Sequence, residues 1–212
     1  MTTPRFAVLV PVKDGPGAKS RLRAIDDAGR ADLMAAFARD AITAARQVTL
    51  AEVYVVGDAP TLRELADELD VPVLPDEGGG DLNRALRSAA ERVPQPGHGI
   101  AVMLADLPCL RPADLEAALA EALDRGSRCF VPDSDGTGTT LLVAPAGRAL
   151  DPRFGTGSAA AHLTSGAVPL GEELTSLRLD VDTAEDLQRA LAFGAGDATR
   201  RVAATLDRHV LD

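Results

Sequence analysis

Three aspartates stand where short apolar runs stop. Asp106 follows the most continuous apolar stretch of the chain, in Leu104-Ala105-Asp106-Leu107-Pro108, and Asp180 and Asp182 flank Val181 in Leu179-Asp180-Val181-Asp182-Thr183. A carboxylate at the end of a buried strand is costly unless it is paired or metal-bound. A cap or turn residue explains Asp106 equally well, and Asp182 also fits as a cap for a helix running from Thr183 past Asp186. If residues 179–182 are extended, side-chain alternation puts Asp180 and Asp182 on one face. Three carboxylates on two strand ends would suit one Mg²⁺, a cation that keeps several waters and takes phosphate oxygens as its remaining ligands.

Cations gather in the first loop, Val12-Lys13-Asp14-Gly15-Pro16-Gly17-Ala18-Lys19-Ser20-Arg21-Leu22. This is not a P-loop, because Ala18 occupies the glycine position before the lysine and Lys13 stands in place of the first glycine. Lys13, Lys19 and Arg21 between a strand and a helix can still wrap a triphosphate with backbone N–H groups and positive charge. A solvated basic loop is the plainer reading. Two clusters, Gly136-Thr137-Gly138-Thr139-Thr140 and Phe154-Gly155-Thr156-Gly157-Ser158, offer hydroxyls and open backbone N–H groups suited to a phosphate or carboxylate. Simple turns would use the same residues, and Ser158 could equally cap a helix. Asp133-Ser134-Asp135-Gly136 begins like a calcium loop but lacks the third acidic position and the closing Glu. His162 has no ligand-spaced partner, so packing or orientation of a substrate suits it better than a metal. No Cys-His or Ser-His-Asp arrangement is visible. A covalent nucleophile is unnecessary if the substrate's own phosphate attacks a nucleotide, because the protein then has only to align two anions and neutralise charge.

The charge balance narrows the partners. With 22 Lys and Arg against 32 Asp and Glu, the 212-residue chain carries a formal charge of −10. Such a protein repels nucleic acid and anionic lipid at long range. One Tyr and no Trp leave it without stacking platforms for bases. Two cysteines are too few for a disulfide framework or a thiolate metal site. A reducing cytoplasm is the expected location, with no signal peptide and no membrane span. Oligomeric state is not legible, and a homodimer is compatible with the sequence.

Elements that must carry these groups follow from periodicity. Phe6 to Val12 reads as a buried strand, and Leu33, Phe37, Ala41, Ala44 and Val48 mark a helix that Asp26 or Asp27 would cap. Further strands are expected at 53–56, 71–74, 100–105, 129–131, 140–144 and 177–181. Further helices are expected at 61–69, 82–93, 113–123, near His162, from Thr183, and at 198–209. Alternation over the first two thirds predicts an α/β fold, a three-layer α/β/α sandwich around a mixed, mostly parallel sheet, as one domain over 1–212. Ligands in such sheets lie off the carboxyl ends of the strands, so the loops after Val12, Leu74, Ala105 and Val181 should converge.

The segments Val10 to Leu22 (VPVK with AKSRL), Gly78 to Leu86 (GGGDLNRAL), Leu104 to Leu110 (LADLPCL), Asp135 to Leu142 (DGTGTTLL), Phe154 to His162 (FGTGSAAAH) and Leu179 to Leu187 (LDVDTAEDL) carry a resemblance. In this order they resemble the phospholactate/phosphoenolpyruvate guanylyltransferases of coenzyme F420 biosynthesis, over nearly the whole chain. GTGTTLL followed by FGTGS is the specific part, since sugar and molybdopterin nucleotidyltransferases carry pieces similar to LADLP and DVDT. The resemblance implies the nucleotide-diphospho-sugar transferase, or glycosyltransferase-A-like, fold. It implies that Lys13, Lys19 and Arg21 line the GTP phosphates, that Asp76 and Asn83 adjoin the base, and that Asp106, Asp180 and Asp182 hold Mg²⁺. Lys19 and Asp106 would be catalytic, and Thr140, Gly155 and Ser158 would hold the phosphorylated acid. The first loop, with Gly15-Pro16-Gly17, and the glycine-rich GGGDLN turn both depart from the usual pattern.

The implied reaction moves GMP from GTP to a phosphorylated three-carbon acid. Phosphoenolpyruvate is favoured, giving enolpyruvyl-diphospho-5′-guanosine and pyrophosphate, with the product passed to the next F420 pathway enzyme. The alternatives are 2-phospho-L-lactate, 3-phosphoglycerate, or a related molybdopterin or sugar nucleotidyltransferase. The absence of an LAGGxSxRMG-type opening argues against the last of these. A regulatory module that binds nucleotide without turnover is the rival of another class, and the intact aspartates argue against it.

Overall fold

Strand β1, Phe6–Pro11, lies at the centre of the sheet with strands on both edges, so Phe6 to Val10 are fully buried. This is why the segment reads as an unbroken apolar run rather than an alternating one. Phe6, Val8 and Val10 face one layer and Ala7 and Leu9 the other. The computed structural model describes residues 6–12, 25–94, 97–171 and 173–209.

The remaining elements follow in chain order: α1 Asp27–Ala45, β2 Ala51–Val56, α2 Pro60–Glu68, β3 Val73–Leu74, α3 Leu82–Arg92, β4 Gly99–Met103, α4 Pro112–Arg125, β5 Cys129–Pro132, β6 Thr139–Ala144, α5 Ser158–Thr164, β7 Val168–Pro169, α6 Thr175–Arg178, α7 Ala184–Phe193 and α8 Asp197–His209. Among the described residues the sheet has seven strands in the order β3-β2-β1-β4-β6-β5-β7. Strands β1 to β4 pair in parallel, β6 runs antiparallel to both β4 and β5, and β7 pairs with β5 in parallel. The expected mixed, mostly parallel sheet is therefore present, and β6 is its one reversed strand.

Helices cover both faces. Ala38, Ala41 and Ile42 of α1, Leu62 and Leu65 of α2, and Leu115 and Leu119 of α4 pack with Val8 and Val10. Leu86 and Ala89 of α3 pack on the opposite face with Leu9, Tyr54, Phe130 and Phe154. A third cluster joins Leu33 and Phe37 on α1 to Val181, Leu187 and Ala190 at α7.

Local chemistry sets the boundaries. Asp26 caps α1, accepting from Gly29 N–H at 2.8 Å. Asp133 makes the β5–β6 turn: its carboxylate accepts from Thr137 N–H at 2.8 Å and Gly138 N–H at 2.7 Å, while Gly136 takes φ +73°. Asp133 is thus a turn-builder.

The expected strand at 177–181 is not formed. Thr175–Arg178 is a short helix, α6, held by Asp114, whose carboxylate accepts from Ser176 N–H at 3.0 Å and from its hydroxyl at 2.7 Å. Residues 179–182 then cross the end of β4, where Val181 N–H donates to the Asp106 carbonyl at 3.1 Å. The apolar pattern that suggested a strand is real, but Leu177 packs from α6 onto the sheet face, and Leu179 and Val181 pack with α1 and α7, without pairing as a strand. The two-residue β7 was not foreseen, because so short a strand leaves no periodicity to read.

Candidate active site

Strand order reverses between β1 and β4: the chain moves outward from β1 to β2 and β3, then returns to pair β4 on the other edge of β1. A crevice forms off the carboxyl ends of strands at such a switch point. Pro11 and Val12 leave β1 there, and Leu104, Ala105 and Asp106 leave β4. All five line a cavity of about 510 Å³ that continues along α1 and α2.

The acidic groups meet at this end. One carboxylate oxygen from each of Asp106, Asp180 and Asp182 lies within 4.8 Å of the other two, and all three residues are half-buried. Val181 is wholly buried between the latter pair. Its burial fixes the segment, and alternation about it turns both flanking aspartates to one side. The competing cap assignments do not hold. Thr183 caps α7 in a reciprocal box with Asp186, and Arg111 occupies the cap position of α4. An all-oxygen set of three carboxylates fits a hard divalent cation such as Mg²⁺ or Mn²⁺.

The two Gly/Thr/Ser clusters abut. Ala159 N–H donates to the Thr137 carbonyl at 3.1 Å, joining the start of α5 to the β5–β6 turn. Gly155 has φ +134° and Gly157 φ +71°, and a Cβ at either would meet nothing, so backbone conformation rather than space demands glycine here. Ser158 is buried as the first residue of α5 behind Gly157. Thr140 is buried, and its hydroxyl donates to the Val131 carbonyl at 3.3 Å.

Asp76 organises the loop after β3: its carboxylate accepts from Gly78 N–H at 2.7 Å, and the Arg84 Nε–H donates to the Gly78 carbonyl at 2.7 Å. Asn83 turns the other way, and both ends of its amide engage the Phe154 backbone. Lys13, Lys19 and Arg21 lie outside the described residues.

His162 has a structural role that its sequence context does not reveal. It is completely buried beside Phe130 and Phe154. Its Nε2 accepts from Arg153 N–H at 2.9 Å, so the neutral ring carries its proton on Nδ1 and donates to Thr139 Oγ1 at 2.9 Å. Burial pushes its pKa down to about 4, with Arg128 adding to the effect. One ring therefore ties β6 to the approach of the Gly155–Ser158 loop. Its only sequence signal was a histidine on a short helix beside a glycine-rich loop.

The MobA-like NTP transferase domain matches residues 34–166. The Phosphoenolpyruvate guanylyltransferase of Streptomyces coelicolor is 46% identical over 208 residues, covering 95% of this chain and 97% of that protein. The chain belongs to the phosphoenolpyruvate guanylyltransferase family. Solved structures agree on the fold of this guanylyltransferase family member. A Desulfovibrio desulfuricans G20 protein described as a nucleotide-diphospho-sugar transferase has a TM-score of 0.72 at 18% identity, covering 97% of this chain and 96% of that one. Rv0371c of Mycobacterium tuberculosis H37Rv, solved in complex with manganese, has a TM-score of 0.55 at 24% identity, covering 90% of this chain and 100% of that one. The nucleotide-diphospho-sugar transferase fold expected from the sequence is thus the one present. Among the described residues, no helix is long and apolar enough to cross a membrane.

Proposed function

We propose that the chain transfers GMP from GTP to phosphoenolpyruvate, releasing pyrophosphate and forming enolpyruvyl-diphospho-5′-guanosine. The observation that carries this reading is the near-full-length, 46% identity to the Streptomyces coelicolor enzyme. The clustered aspartates at the sheet's switch point support it.

An oxygen of the acid's phosphate attacks the α-phosphorus of GTP. The bond from that phosphorus to the α–β bridging oxygen breaks, and pyrophosphate departs with the electron pair. The phosphate is already an anion, so no side chain need take a proton from it. The work left to the protein is alignment and charge neutralisation. Asp106, Asp180 and Asp182 would hold a divalent cation, with Mg²⁺ the expected one. When bound, the cation would neutralise phosphate charge that an acidic protein otherwise repels.

Lys13, Lys19 and Arg21 are assigned to the triphosphate, with Lys19 and Asp106 acting at the reacting phosphates, and the Asp76 loop to the nucleoside. Thr140, Gly155 and Ser158 are assigned to the acid. Direct contact by the Thr140 hydroxyl would need its long bond to Val131 to yield, whereas the glycine loop can offer backbone N–H groups unchanged. The chain acts as one unit over 1–212 in the cytoplasm, and its labile product passes to the next enzyme of coenzyme F420 assembly.

The test is to incubate purified protein with GTP, Mg²⁺ and phosphoenolpyruvate, 2-phospho-L-lactate or 3-phosphoglycerate in turn, following pyrophosphate and the guanylylated adduct. Greatest kcat/KM with phosphoenolpyruvate is expected. Preference for another acid would reassign the acceptor, and turnover with none of the three would refute the reading.

A further inference from the structure

Asn83 is the joint between two loops that lie far apart in the chain. Its Nδ2–H donates to the Phe154 carbonyl at 2.9 Å, and its Oδ1 accepts from Phe154 N–H at 2.7 Å, across a separation of 71 positions. A side-chain amide that satisfies both groups of one residue mimics a strand partner and fixes that residue's orientation. The preceding peptide is held as well, since Arg153 N–H donates to His162 Nε2. Phe154 itself is buried, with its ring edge-on to His162 at 5.2 Å. Beyond Phe154, residues 155–157 are exposed, and the chain is caught again where Ser158 N–H reaches the Gly155 carbonyl and Ala159 N–H the Thr137 carbonyl, each at 3.1 Å.

On its other side, Asn83 sits in the first turn of α3, directly after a self-bonded loop. Asp81 caps that helix through Arg84 N–H at 3.1 Å, Asp81 N–H donates to the Gly78 carbonyl at 3.2 Å, and Asp76 holds Gly78 N–H. The 76–84 loop and the 153–158 loop are each internally braced, and the Asn83 amide joins them.

We propose that Asn83 is a positioning residue for the acid rather than a contact to the guanine base. By holding Phe154 in register it orients the Gly155–Ser158 backbone on which the acid is received, so its loss falls on the acid and spares GTP. This assignment rests on the acceptor reading of that loop given above.

The experiment compares Asn83→Ala, which removes both bonds without adding charge, with Asn83→Asp, which keeps an acceptor for Phe154 N–H and sets an oxygen against the Phe154 carbonyl. Both variants are expected to raise KM for phosphoenolpyruvate about tenfold, as loss of one or two oriented hydrogen bonds implies, with KM for GTP within about twofold of wild type. Hydrogen–deuterium exchange over 153–158 should quicken in both, with the rest of the chain unchanged. A rise confined to GTP, or equal rises for both substrates, would overturn the proposal. If wild type turns over none of the acids, the functional reading fails; unchanged exchange over 153–158 in Asn83→Ala then overturns the bracket independently, and faster exchange sustains it.

Discussion

Val181 N–H donates to the carbonyl of Asp106 at 3.1 Å, so the two segments that carry the acidic cluster are joined through their backbones. Side chains from positions 106, 180 and 182 are thereby placed by main-chain geometry and by the burial of Val181, with no need for a long side chain to reach inward.

Asp106→Asn should remove metal-dependent turnover and leave the fold intact. The amide preserves shape but would surrender one of the three anionic ligands proposed for the cation. A fall in kcat/KM of about 100-fold or more is expected, with far-UV circular dichroism unchanged. Wild-type turnover in this variant would exclude Asp106 from the metal set.

A divalent cation should stabilise the free protein. Ions that bind only the folded state add about 2.7 kcal/mol at one hundred times their dissociation constant, which for a chain of this length raises Tm by about 5–10 °C. Scanning calorimetry with and without Mg²⁺ or Mn²⁺ reads this directly. The rise should shrink sharply in Asp182→Asn, and an equal rise in that variant would place the cation elsewhere.

His162 should give stability a pH dependence on the acid side. Its folded pKa is near 4 against 6.5 for the free group, so between those values the unfolded chain binds more protons than the folded one. The neutral ring's contribution is complete above pH 6.5 and is lost as pH falls from there towards 4, by about 3 kcal/mol in all. Urea titrations should show His162→Gln less stable than wild type at pH 7, with the gap narrowing by pH 4.5. A constant gap would mean that the histidine does not titrate on unfolding.

Asp133→Ala should loosen the β5–β6 turn. The carboxylate satisfies two backbone donors, and its loss should cost about 1–2 kcal/mol. Because the same turn delivers Thr139 and Thr140, KM for the acid should rise while KM for GTP holds. Parallel changes in both constants would show that the turn's role is stability alone.

Much of this was legible in the chain. Phe6 to Val12 announced a central strand because burial on both faces leaves no polar alternation. Asp106, Asp180 and Asp182 were visible because an ionisable group at the end of an apolar run demands a reason. The strand expected at 177–181 is absent, because Leu177, Leu179 and Val181 show the same alternation whether the segment pairs within a sheet or packs on the core as a short helix and a loop. The Asn83–Phe154 bracket and the His162–Arg153 bond left no local signal, since each depends on where distant turns bring the backbone. For Asn83, the resemblance pointed to the base while its amide faces the other loop.

The reversal of β6 has a spatial consequence. Met103, the last residue of β4, lies opposite Leu141, two positions after the start of β6, so the antiparallel strand begins where its neighbour stops. A parallel strand of the same length would have begun about 17 Å away, at the opposite rim. On the proposed site assignment, one change of direction lets a chain whose early crossovers frame the nucleotide return late and set the loops for the acid beside it. On that assignment the tip between Pro132 and Thr139 could be lengthened, shortened or exchanged to admit a different acid, provided the Asn83–Phe154 bracket that ties the two halves together is kept.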